Sequence, residues 1–225
     1  MDLGYLVNQI KGDTTAPNLR VRQGKVVTVN ANRTIDVQIA GDTNTLPSVR
    51  YLSNYAPKPD DQTWLLNSGA DLLAIGMVAG VDRTLAPTAS RSTAQTITTS
   101  AQTKIIFDAV DSDGWNCWDV SPNPTRLTAP LTGRYIITGN VAFEAASSGH
   151  RAINILKNNT VELARSDFNP VSNSIDTHST VTCHAVSLTK GDYVELRVWQ
   201  NSGSDLDILN SGDHSPKLSL IYLGS

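Results

Sequence analysis

The sequence predicts an all-β protein made of two modules, a small barrel followed by a larger two-sheet sandwich. Three observations carry that expectation. Apolar residues recur with period two from about residue 24 to the end, helical spacing appears only in the first dozen residues, and turn residues punctuate the chain at short intervals. A chain of 225 residues is long for one small barrel and comfortable for two compact domains. Apolar residues at 40% and charged residues at 17% describe a globular chain rather than a disordered one. The formal charge of −3 supplies no field for gathering phosphates, so nucleic acid is not an expected partner. No apolar run approaches the roughly 20 residues needed to span a bilayer. The first twelve residues lack the basic start and continuous apolar run of a signal peptide, so synthesis in a cytoplasm is expected.

Residues 1–23 open with Leu3, Leu6, Val7 and Ile10 at helical spacing, closed by Gly12. A helix of about ten residues is marginal alone, so these four residues are the candidate attachment stripe. Residues 24–82 read as a barrel. Val27 and Val29 alternate with Thr28, then Ile35, Val37 and Ile39 with Asp36 and Gln38. Trp64-Leu65-Leu66 and the run 72–75 flank a turn at 67–71. Residues 83–97, rich in Thr, Ser and Ala, read as an extended linker. Residues 98–225 carry the sandwich. Ile105-Ile106-Phe107 opens it, and Tyr135, Ile137, Gly139, Val141 and Phe143 form one face of a long strand. Ile153 and Ile155 follow, then Val181 and Cys183, Val194, Leu196 and Val198, and finally Leu218, Leu220 and Tyr222. Many short strands at near-regular spacing mean a sandwich or jelly roll.

Several fragments of the second module resemble the C1q/TNF-like superfamily. They are Leu131-Thr132-Gly133-Arg134-Tyr135, the Lys157-Asn158-Asn159 hairpin, the stretch Leu188-Thr189-Lys190-Gly191-Asp192-Tyr193-Val194-Glu195-Leu196, and the closing Leu218 to Gly224 run. Asn159 stands where the family usually has glycine. Gly24 to Val29, Thr34 to Gly41, Val49 to Leu52 and Asp60-Asp61-Gln62-Thr63-Trp64 resemble the small OB-fold-like barrel of phage tail and baseplate proteins, with Asp60 in place of a turn glycine. Together these resemblances imply a bacteriophage tail protein of the virion, in which a homotrimeric C1q/TNF-like tip binds a glycan or protein of the host surface. Other tail and baseplate proteins would be its partners on the virion. A purely structural assembly role is the second reading, and a host-glycan hydrolase the third.

Catalytic signals are sparse. The sequence carries no GxSxG elbow, HExxH or P-loop motif, and His150, His178, His184 and His214 are scattered. No enzymatic activity is expected, and no cofactor. The acidic pairs Asp111/Asp113 and Asp205/Asp207 read as solvated turns, because an EF-type calcium loop would need further ligands that are missing. A structural Ca²⁺ is left open by the resemblance, since some C1q-like trimers hold one near the axis. Cys117 and Cys183 read as two small thiols, with a single bridge left open. Trp115, Trp118 and Trp199 either cap the core or stack on a ligand. The loops at 146–149, 169–177 and 201–212 are polar and suited to contacts. The candidate receptor-binding residues are therefore Trp115, Trp118, Asn173, Asp205 and Asp207. Leu218, Leu220 and Tyr222 are the candidate trimer interface, because the last strand is apolar on both faces.

Overall fold

The structure is a computed structural model that describes residues 19–68, 71–78, 85–210 and 212–224. The expected helix with Leu3, Leu6, Val7 and Ile10 lies outside the described residues. The chain divides into two compact units, 1–80 and 81–225.

In the first unit β1 (Leu19–Val29), β2 (Thr34–Ile39), β3 (Thr45–Tyr51), β4 (Gln62–Ser68) and β5 (Asp71–Met77) form a closed barrel in the order β1-β2-β3-β5-β4. The β3–β5 pairing is parallel and the other pairings are antiparallel. Its core is small: Val26, Val29, Ile35, Val37, Val49, Leu65 and Ala74. Val27 was expected inside with Val29. A bulge between Val26 and Thr28 instead shifts the register, so Val26 is buried and Val27 is 44% exposed. Gly24 is required where β1 crosses the core, because a Cβ there would lie 2.6 Å from Leu65 Cδ1 and 3.1 Å from the Gln38 carbonyl oxygen. Asp60 takes a left-handed conformation (φ 74°), the backbone state that glycine adopts most readily.

The second unit is a two-sheet sandwich built from β6 (Thr88–Ser90), β7 (Gln95–Ile97), β8 (Thr103–Lys104), β9 (Ala109–Ser112), β10 (Arg126–Thr128), β11 (Gly133–Phe143), β12 (Arg151–Lys157), β13 (Val161–Phe168), β14 (Thr177–Leu188), β15 (Tyr193–Gln200), β16 (Leu206–Ile208) and β17 (Lys217–Gly224). One sheet runs β10-β15-β12-β13 with β8 also on β15; the other runs β14-β11-β17-β6-β9, with β16 and β7 continuing beyond the end of β11. After β11 the chain passes to the other sheet for β12 and β13, returns for β14, crosses for β15 and returns for β16 and β17. That alternation is the jelly-roll connectivity. Tyr135, Ile137, Val141 and Phe143 face Ile153, Ile155, Leu196 and Val198 across the interior, all essentially without exposed surface. Gly139 belongs to this layer, where an added Cβ would meet Leu196 Cδ1 at 2.5 Å.

The segment expected as a linker, 83–97, holds β6 and β7. β6 pairs with β17 and β9, β7 pairs with β16, and Leu85, Ala89 and Ile97 are buried. Strands of three residues, Thr-Ala-Ser in β6 and Gln-Thr-Ile in β7, join a sheet through backbone bonds and are too short to show an apolar period. Ile105 and Phe107 are buried with Ile106 exposed, but the ladder strand is Thr103–Lys104 just before them. The hairpin between β12 and β13 turns on Asn158 (φ 50°) and Asn159 (φ 66°), both left-handed. Asn tolerates this region less well than Gly. Asn159→Gly is therefore expected to stabilise the protein by up to about 1 kcal/mol, read as a higher urea midpoint at unchanged slope.

Candidate functional site

The registers bring one end of the sandwich together. The C-terminal ends of β11, β13 and β15 meet the N-terminal ends of β12, β14 and β17 there, as the pairs Phe143–Thr177, Arg151–Phe168, Arg151–Gln200 and Asn140–Lys217 fix. The loops 144–150, 169–176 and 201–205, with 209–210 and 212–216, consequently form one rim.

Two buried polar side chains hold this rim from beneath. Arg151 points into the sandwich with no exposed surface. Its guanidinium donates to the carbonyls of Ser148 (2.8 Å), His150 (3.4 Å) and Ala146 (3.5 Å) and lies 5.9 Å over the Phe143 ring. Burial pulls its pKa below the ordinary arginine value. Gln200, also fully buried, donates to the carbonyls of Ile97 (3.0 Å) and Ser204 (2.8 Å) and accepts from the Ser202 amide (2.7 Å). The loops are then laced to each other. The Asn201 amide donates to the His150 carbonyl, and the Ser148 hydroxyl donates to the Ser202 carbonyl. Gly149 (φ 77°) allows that approach, since a Cβ would sit 2.5 Å from the Asn201 carbonyl oxygen.

On the outward face beside this rim, β13, β12 and β15 carry a polar network. Arg165 donates through Nε and Nη2 to Asp167, both at 2.6 Å, and His150 Nε2 lies 3.1 Å from Asp167 Oδ1. His150 Nδ1 lies 3.3 Å from Asn169 Oδ1, and the imidazole centre is 6.2 Å from the Trp199 ring. Hydrogen bonds from Arg165 pull the Asp167 carboxyl down to about 2, against a smaller opposing effect of burial and with His150 adding to the lowering. One row further in, Glu162 accepts from Asn154 (2.6 Å) and pairs with Arg197 (3.4 Å). Beyond it the buried Glu195 accepts from the Thr125 hydroxyl (2.7 Å) and forms an ion pair with Lys104 (2.8 Å). Across the rim, on the other sheet, His178 and His214 meet edge-on at 4.3 Å, and His214 Nδ1 lies 3.7 Å from Asp176. An open groove of about 360 Å³ beside them is lined by Asn140, Val141, His178, Ser179, Thr180 and Lys217.

The candidate residues read from the sequence do not form one site. Trp115 is buried and therefore belongs to the core of the unit, a correction to its place among exposed contact residues. Trp118 is partly exposed and donates from Nε1 to the Pro124 carbonyl (3.3 Å), in a segment that packs beside β10 at the start of β15, away from the rim. Asn173 is exposed on the rim. Asp205 accepts from the Thr99 amide (3.0 Å) and Asp207 from the Thr96 hydroxyl (2.6 Å), so both pin β7 against β16. Asp111 is held below the usual carboxylate range by hydrogen bonds from Lys217 and Ser90. Asp113 accepts from the Cys117 and Trp118 amides. Among the described residues no group of three or more His, Cys, Asp or Glu side chains converges as a metal site. Cys117 and Cys183 are buried and form no disulfide.

Leu218 and Leu220 are fully buried within the chain's own sandwich, and Tyr222 packs 5.1 Å from Tyr135. Leu218 and Leu220 fill the core of their own unit, which corrects their assignment to a subunit interface, while Tyr222 stays half-buried. The outward side of β17 carries Lys217, Ser219, Ile221 and Leu223 instead. The Arg165–Asp167–His150–Trp199 network was missed because its members sit on three strands. Arg165 and Asp167 do alternate on one strand, but only the pairing register places His150 and Trp199 beside them.

No family model and no curated protein sequence matches the chain. Among solved structures, murine APRIL at pH 5.0 is similar at 11% identity and a TM-score of 0.47, covering 61% of this chain and 98% of that one. Eiger TNF from S. frugiperda is similar at 17% identity and a TM-score of 0.42, covering 62% and 92% respectively. The likeness is one of fold. The jelly-roll assignment itself rests on the strand order and registers given above.

Asp167 offers a direct check of the network. Its folded pKa lies below the unfolded value, so the stabilisation is present above pH about 4 and is lost as pH falls through about 2. In Arg165→Ala the Asp167 carboxyl is expected to titrate closer to the ordinary aspartate value, measured by carboxyl ¹³C shifts across pH 1.5–6. Gly149→Ala is expected to speed amide exchange in 144–150 and 201–204 while leaving the central strands protected.

Proposed function

We propose that the protein is a non-catalytic binding module of a phage virion tail, in which the barrel attaches to other tail or baseplate proteins and a trimer of jelly rolls presents its rim to the host surface. The observation that carries this reading is the division of labour at the rim. Four loops gather at one end, two of them held by buried Arg151 and Gln200, while the nearby carboxylates Asp205 and Asp207 are engaged in holding strands together. That arrangement fits a rigid contact surface. The closed five-stranded barrel supports the OB-like attachment reading drawn from the sequence resemblance.

For the trimer, the outward face of β14-β11-β17-β6 is the surface we assign to the axis. Ile136 pairs with Ile221 there, Leu223 is 52% exposed, and the row after Thr180, Asn140 and Lys217 is one of short polar side chains, Thr182, Thr138, Ser219 and Thr88. Side chains this short let flat faces approach closely. Buried Leu220, by contrast, serves the fold of each protomer.

Light scattering of the full chain is expected to give a trimeric mass. Ile221→Asp should reduce it to a monomer with the fold retained by circular dichroism. Leu220→Ala should instead keep the assembly and lower unfolding stability by about 2–5 kcal/mol. Fluorescently labelled protein is expected to stain the surface of responsive strains in a bacterial panel. A monomer that stains none would overturn the proposal.

A further inference from the structure

The geometry points to a binding subsite for a neutral pyranose ring on the outward face of β12, β13 and β15, with Trp199 and His150 as the ring-contacting residues. It rests on the binding-module reading above and names the chemistry of the receptor. Asp167, Ala152 and Trp199 form one row across the three strands. Asp167 and Trp199 are thus two strand spacings apart, about 9.6 Å, with only a methyl group between them at the level of the sheet. Ala152 is fully buried although it points away from the core. Its methyl is covered by larger neighbours on the outside.

Two rings stand over this floor. The Trp199 and His150 rings are 6.2 Å apart with their planes inclined at 58°, a shallow open corner rather than a closed stack. The imidazole cannot swing freely, because its nitrogens face Asp167 and Asn169 and Asp167 is clamped by Arg165. The backbone on either side is fixed too, with the His150 amide donating to the Asn201 side chain and Arg151 and Gln200 anchoring the adjoining loops. Trp199 is only partly covered, and its indole N–H has no acceptor among the described residues. A smaller apolar side chain would cover Ala152 as well without exposing an unmatched donor. The pairing of a held aromatic corner with an open donor is what a bound ligand would complete.

The occupant follows from shape and charge. A pyranose has a C–H face that stacks on an indole and equatorial hydroxyls that suit the carboxylate, guanidinium and amide groups at its edge. The two nearby arginines are already paired, Arg165 with Asp167 and Arg197 with Glu162, so among the described residues of this face neither is left to attract a phosphate or an acidic sugar. A neutral hexose or N-acetylhexosamine satisfies both conditions.

The test uses the full chain and the ¹H–¹⁵N indole signals of its four tryptophans. The Trp199 signal is assigned by its loss in Trp199→Leu, a variant that still covers Ala152. The probes are methyl β-glucopyranoside, methyl β-galactopyranoside and methyl N-acetyl-β-glucosaminide. At least one is expected to shift the Trp199 signal saturably at roughly millimolar concentration, leaving Trp64, Trp115 and Trp118 in place. Trp199→Leu and His150→Ala should each weaken that binding by about tenfold or more without changing the thermal midpoint by more than a few degrees. The inference is overturned if none of the three glycosides moves the Trp199 signal, or if Trp199→Leu binds as tightly as the parent. Cell staining separates the two proposals. Staining that survives Trp199→Leu leaves the binding module standing and removes the sugar subsite. Saturable sugar binding at Trp199 without staining of any strain keeps the subsite and removes the host-surface role.

Discussion

A guanidinium with no exposed surface and no carboxylate partner among the described residues is an expensive thing to place inside a β-sandwich. Arg151 is tolerated there because the chain brings carbonyl oxygens to it: those of Ala146, Ser148 and His150, with the face of Phe143 beneath. The dependence runs both ways. The buried cation obliges the loop 144–150 to close over the end of the sandwich, and that closure sets where His150 stands and where Gly149 touches Asn201. Gln200, the direct neighbour of Arg151 across the ladder, does the same for 201–204. One inward-facing pair of polar side chains therefore organises two of the four rim loops. The outward-facing residues next to them inherit their positions.

The same economy governs the charged residues on the outer face. Alternation along each strand sends every second side chain outward, and antiparallel pairing then lines up Asp167 with Trp199, Arg165 with Arg197, and Glu162 with Glu195 across β12. Opposite charges meet along one strand, as Arg165 and Asp167, or reach across β12, as Glu162 and Arg197, so the face is a patchwork of short pairs rather than a field of one sign. Most of these pairs are well exposed and add little stability. Their effect is to fix orientation, most clearly at His150. The Lys104–Glu195 pair differs, because Glu195 is nearly inaccessible and its charge is tolerated only with Lys104 and Thr125 in place.

Much of this fold was legible in the sequence, and the residues that were legible share one property. Each carries its information in a local pattern. Tyr135, Ile137, Gly139, Val141 and Phe143 alternate with outward residues and all face the core, and Asn158-Asn159 and Lys190-Gly191-Asp192 mark turns by their own backbone preferences. The failures are equally specific. Val27 faces solvent because of a bulge that no period reveals, and β6 and β7 passed for a linker because strands of three residues pair through backbone groups that every residue has. Leu218 and Leu220 look like interface residues in a strand that is apolar on both sides. Which side faces inward is settled only by pairing with β11.

The sequence by itself determined that the chain is all β, that a small barrel precedes a larger sandwich, and that certain turns need left-handed residues. These follow from side-chain period and backbone preference, which act over a few residues. Tertiary structure alone decided which strands are neighbours, and with that everything about the site. His150, Asp167 and Trp199 lie up to 49 positions apart in the chain, from 150 to 199, yet the registers of β12 with β13 and β15 put them on one patch. Register is set by many ladder bonds and the burial of whole faces at once, so no short stretch of sequence contains it.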